Sequence, residues 1–86
     1  MGLKEQLQQD IKILNDELKS EEELVQILKK RLTKKEYKLY TMRIDNISDD
    51  KIIQDLKLNQ ERFNTIYQTI LKKINYEKLK YELTKG

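Results

Sequence analysis

From residue 3 to residue 85 the chain carries neither glycine nor proline: it has no proline, and its two glycines are Gly2 and Gly86. Tight strand reversals depend on residues that tolerate positive φ, and glycine is the cheapest of them. A hairpin-built sheet therefore lacks its usual turns. Lys, Glu, Gln, Leu and Ile dominate instead, and most of these are good helix formers. At 86 residues, with 37% hydrophobic and 38% charged positions, there is room for one small core that hides roughly 60–65% of the unfolded surface. The expected class is all-α, a small helical bundle.

The residue types that are missing narrow the chemistry. There is no cysteine and no histidine, which removes disulfides, thiolate metal sites, thiol nucleophiles and the commonest general base. No catalytic constellation can be assembled from what remains. We expect no enzyme activity, no cofactor, no metal and no small-molecule substrate. Apolar residues do not run beyond pairs such as Ile52-Ile53, far short of a membrane span or a signal-peptide core. A cytoplasmic protein without membrane contact is expected. Gly2 lacks the Ser or Thr four positions on that myristoylation wants, because Gln6 stands there.

Net charge is +3, but its distribution is uneven. Residues 1–28 hold 3 basic and 7 acidic side chains, whereas Lys29 to Arg43 hold 7 basic and 1 acidic. Residues 59–86 are again basic. Such a layout can meet a polyanion along part of the surface, although lysine-rich helix faces also arise simply from solvation.

Apolar periodicity organises the chain. Leu7, Ile11, Leu14, Leu18, Val25, Leu28 and Leu32 follow alternating steps of four and three, with Glu21 as an acidic break. That heptad seam predicts a long, coiled-coil-like amphipathic helix over residues 1–31. Ser20 with Glu23 forms a capping-box pattern that could instead start a second helix there. Thr33 with Glu36 is a stronger box, ahead of Tyr37, Leu39, Tyr40 and Met42. Asp45-Asn46 is turn-like, and Ser48 is an N-cap for a short helix over about 49–57, with Asp49 and Asp50 against its dipole. Asn59 caps a further helix whose inner face is Phe63, Ile66, Tyr67, Ile70 and Ile74. Tyr76, Leu79, Tyr81 and Leu83 have helical spacing and either continue that helix or fold back.

Two closely spaced caps around a short helix are the sequence form of a helix-turn-helix. The stretch from Leu32 to Asn75 resembles the DNA-binding unit shared by LuxR-type response regulators and region 4 of sigma factors. Leu32, Thr33 and Glu36 match that family's Leu-Thr-x-x-Glu opening. Ser48, Ile52 and Leu56 match its positioning helix, and Leu58, Asn59 and Phe63 the start of its recognition helix. Ile70, Lys73 and Ile74 correspond to its Ile-x-x-Lys-Leu close. Three positions depart from it: Ile53 replaces a small residue, Lys57 replaces the turn glycine, and Arg62 replaces a Thr.

The resemblance implies a helix-turn-helix domain over residues 32–86, with a helix of about 60–72 inserted in the major groove of double-stranded DNA. Gln60, Glu61, Arg62, Asn64, Thr65 and Gln68 would read bases, since Asn and Gln pair with adenine, Arg with guanine and Glu with cytosine. Thr33, Lys34, Lys35, Lys38, Lys72 and Lys73 would contact phosphates, which position the protein without reading sequence. Phe63, Tyr67 and Tyr40 lie on the apolar stripe and are read as core rather than as base-stacking platforms. Asp49-Asp50 are read as dipole-compensating residues rather than a metal pair, because consecutive side chains diverge by about 100° on a helix.

For the N-terminal seam two fates stand at even odds. Leu7, Ile11, Leu14, Leu18, Val25 and Leu28 either pair with a second copy, giving a dimeric transcription regulator, or pack on the back of their own chain. The alternative to DNA binding is a protein-protein interaction module of the same fold that takes a transcription component through its acidic N-terminal helix.

Overall fold

The structure, a computed structural model, describes residues 2–12 and 17–85. These form six helices: α1 (Leu3–Asp10), α2 (Glu21–Arg31), α3 (Lys34–Ile44), α4 (Asp49–Asp55), α5 (Gln60–Ile74) and α6 (Glu77–Leu83). No helix among them is long and apolar enough to cross a membrane.

Helix starts follow the side chains that can accept the orphan amides of a first turn. Ser20 accepts from the Glu23 N–H, Ser48 from Lys51 and Asn59 from Arg62. Thr33 and Glu36 form a reciprocal capping box, at 3.2 and 3.0 Å. Glu21, Glu22 and Glu23 open α2 while Lys29, Lys30 and Arg31 close it, an arrangement that complements the helix dipole at both ends.

α3 and α4 end in the same way. Asn46 (φ 62°) and Lys57 (φ 56°) take the left-handed conformation. In each case the next residue but one past the cap, Ile47 or Leu58, donates back to a carbonyl inside the helix, Met42 or Ile53. These are Schellman terminations. Asparagine tolerates that backbone, whereas lysine does so against its Cβ. Lys57→Gly should therefore stabilise the fold by about 0.5–1 kcal/mol, the relief of left-handed strain less glycine's extra unfolded-state entropy. Urea melts of the two proteins measure it, and a destabilised glycine variant would mean the turn is held by Lys57's side chain.

The N-terminal third departs from the single long helix that the heptad pattern predicts. α1 stops at Asp10, residues 17–20 run extended, and α2 begins anew at Glu21. Two tertiary contacts enforce the break. Glu21, the acidic interruption of the seam, turns its carboxylate onto the N–H of Leu3 at 2.8 Å and so caps α1 where Gly2 has no side chain to do it. Lys19 donates to the Leu83 carbonyl and Lys85 to that of Glu17, an antiparallel bridge of Leu18 with Thr84 that ties this segment to the C-terminus.

The seam residues consequently lie inside their own chain. Leu7, Leu18 and Leu28 are fully buried and Ile11 nearly so, while Val25 is half-buried. Of the two fates open to these side chains, the structure shows intramolecular packing for Leu7, Ile11, Leu18 and Leu28; Leu14 lies outside the described residues. They join Leu39, Tyr40, Ile52, Phe63, Ile70, Ile74 and Leu83 in one core, which crosses the 31/32 boundary without a seam of its own. α6 folds back after Tyr76 instead of continuing α5.

Candidate nucleic-acid interface

α5 is amphipathic. Phe63, Ile66, Ile70 and Ile74 are buried, and the helical period then forces the intervening polar side chains outward. Gln60, Glu61, Arg62, Asn64, Thr65 and Gln68 are all exposed. Gln60 Nε2 donates to Asn64 Oδ1 at 3.1 Å, and the Thr65 hydroxyl donates back to the Glu61 carbonyl. Arg62 and Gln68 make no side-chain hydrogen bond to the described residues. The six residues thus share one solvent-facing surface with donors and acceptors available for a partner.

α5 is held from behind by two contacts with α3. Near one end the Lys73 ammonium meets Glu36 Oε1 at 2.7 Å. Near the middle the Arg43 guanidinium lies 4.4 Å from the centroid of the Tyr67 ring and donates to Asp49 on α4 at 2.9 Å. Arg43 thereby links α3, α4 and α5 through a cation–π contact and an ion pair. The sequence offers no signal for that role beyond a basic residue in the last turn of α3. Phe63 and Tyr67 stack at 6.5 Å and belong to the packed face; Tyr40 is buried.

These contacts make α3 and α5 antiparallel, which sorts the expected phosphate ligands. Lys34, Lys35, Lys38 and Lys72 are exposed; Lys34 and Lys38 line a groove with Lys29 and Tyr37, whereas Lys72 lies near the C-terminal end of α5. Arg62 lies ten residues earlier, about 15 Å along the helix axis. Lys73 and Thr33 are differently engaged: Lys73 is paired with Glu36, and Thr33 is occupied in the capping box. Burial pushes the Glu36 carboxyl up, but the Lys73 and Thr33 hydrogen bonds and the Lys73 charge together outweigh it and hold the group below its ordinary value near 4.5.

The same C-terminal end of α5 is also fixed by its C-cap residue, Asn75. Its amide oxygen accepts from the Lys12 N–H, and its nitrogen donates to the carbonyls of Asp10 and Leu71. Asp10 in turn accepts from Gln6 and from the Tyr40 hydroxyl at 2.8 Å. Burial, then the bond to Asp10 and its negative charge, drive the Tyr40 hydroxyl well above its usual range, so it remains a neutral donor.

Among the described residues no three Asp or Glu side chains converge as a metal cage. Asp49 and Asp50 stand exposed on the first turn of α4. No family model, no curated protein and no solved structure matches the chain.

Proposed function

We propose that the protein is a sequence-reading duplex-DNA-binding module, with α3, α4 and α5 serving as a helix-turn-helix and α5 entering the major groove. The supporting observation is the outer face of α5: six exposed polar side chains of base-reading type on a helix clamped by Glu36, Arg43 and Asn75. A rigid helix presenting such groups is what direct readout requires. Lys34, Lys35, Lys38 and Lys72 supply the phosphate contacts.

Fluorescence anisotropy with random duplex DNA at low and near-physiological salt, followed by selection and sequencing of the retained duplexes, tests this reading. A shared motif is expected. Arg62→Ala and Asn64→Ala should each lose discrimination by roughly 1–2 kcal/mol at one position of that motif, whereas Lys34→Ala should weaken all sequences about equally. Unchanged binding in all three variants would remove α5 from the interface.

One observation favours a second reading, a protein-binding module of the same build. The exposed Asp49 and Asp50 sit on the first turn of α4, where a positioning helix would approach DNA phosphates and be repelled by them. The acidic first turn of α2 offers such a partner Glu22 and Glu23, while Glu21 is occupied with α1. Absence of DNA binding even at low salt would decide for this alternative.

A further inference from the structure

The ends of α2, α5 and α6 enclose a groove of about 410 Å³ that shares only Lys72 with the proposed DNA contacts. Its floor includes buried Leu79 and the exposed ring of Tyr76. Thr69 lines it too but commits its hydroxyl to the Thr65 carbonyl, so it offers no free donor. Four cations surround this apolar floor: Arg31, Lys72, Lys73 and Lys78. Arg31 is paired in two-pronged fashion with Glu82, and Lys73 is paired with Glu36. Lys72 and Lys78 have no ion-pair partner among the described residues.

A pocket of this size, apolar below and carrying these two unpaired cations at a rim whose one carboxylate, Glu82, is paired with Arg31, selects for shape and charge together. An inorganic anion would leave the floor wet, and a neutral hydrophobe would leave the ammonium groups without a partner. The geometry points to a binding site for a small amphipathic organic anion, its alkyl or aryl body against Tyr76 and Leu79 and its carboxylate or phosphate head between Lys72 and Lys78. Charge-assisted hydrogen bonds hold the head, and the lysine stems extend the apolar walls. Lys72 is common to this site and to the proposed phosphate contacts, so ligand and DNA would compete for it, but Tyr76, Lys78 and Leu79 belong to the groove alone.

The test is a 15N-resolved NMR titration of the whole protein with sodium octanoate at constant ionic strength, with acetate and octylammonium as parallel probes. Octanoate is expected to give saturable shifts concentrated at Thr69, Lys72, Tyr76, Lys78 and Leu79. Acetate and octylammonium should give none that saturate in the same range. In a K72E/K78E variant whose helical circular dichroism matches the parent, octanoate should bind at least tenfold more weakly. Equal binding of octylammonium would reduce the groove to a greasy surface, and equal binding of acetate to a counter-ion site; either result overturns the proposal. Full-strength binding by the charge-reversed variant, or shifts scattered over the molecule, would overturn it as well. If hexaglutamate perturbs the groove and octanoate does not, the site receives an acidic chain instead, and the assignment to a small anion falls.

Discussion

Leu7→Ala should lower the unfolding free energy by about 2–5 kcal/mol, the cost of deleting a large buried side chain that its surroundings cannot fully replace. Leu7 has no exposed surface and sits in the shared core with Leu28, Leu39 and Ile74. A chain of this size has only about 5–15 kcal/mol of total stability, so the substitution removes a large fraction of it. Urea denaturation followed by circular dichroism measures the loss. Sedimentation should meanwhile give the same mass for parent and variant, because Leu7 packs against its own chain. A variant that unfolds like the parent but sediments as a smaller species would instead place Leu7 between two copies and reverse the assignment made for the seam.

Glu36→Ala should cost about 2–3 kcal/mol. Two interactions go at once: the capping box at the start of α3, worth about 1 kcal/mol, and a charge-assisted hydrogen bond to Lys73, worth about 1.5–3 kcal/mol. The sum is discounted because the Lys73 side chain is 36% exposed and regains water when its partner is removed. The same carboxylate gives an acid dependence. Its pKa in the folded state lies below the ordinary value near 4.5, so the unfolded chain takes up a proton first as pH falls. Its contribution is complete above about 4.5 and disappears as pH drops through the folded-state value. Melts between pH 6 and pH 3 should show the parent losing stability more steeply than Glu36→Gln, which has no such proton to bind. Parallel profiles for the two proteins would show that Glu36 is not held in its charged form by the fold.

The candidate surface was legible on one side and concealed on the other. The readers of α5 follow from the apolar stripe, because a helix that buries Phe63, Ile66 and Ile70 must expose Gln60, Asn64 and Gln68. The phosphate set does not follow so simply. Lys73 looks like any solvated lysine in the sequence, and its partner Glu36 lies 37 positions away. Thr33 and Glu36 are recognisable as a capping box, yet nothing local indicates that Glu36 also anchors α5. The clamps supplied by Arg43 and Asn75 likewise depend on residues remote in the chain.

What the sequence determined by itself is the helical class and the starts of α3, α4 and α5. Capping by Thr33, Ser48 and Asn59 operates over three residues, and an interaction that short is written wherever its two residues are written. The heptad seam states only that one face from Leu7 to Leu32 must leave water; a second chain or the back of α3 and α5 satisfies that demand equally well. The tertiary structure shows the latter arrangement for Leu7, Ile11, Leu18 and Leu28. Glu21 reaching 18 residues back to cap α1, together with the bridge from Leu18 to Thr84, breaks the long helix and folds its leucines inward. Hydrophobic burial is non-directional, so the pattern fixes which side chains are hidden, and only the closed chain fixes what they are hidden against.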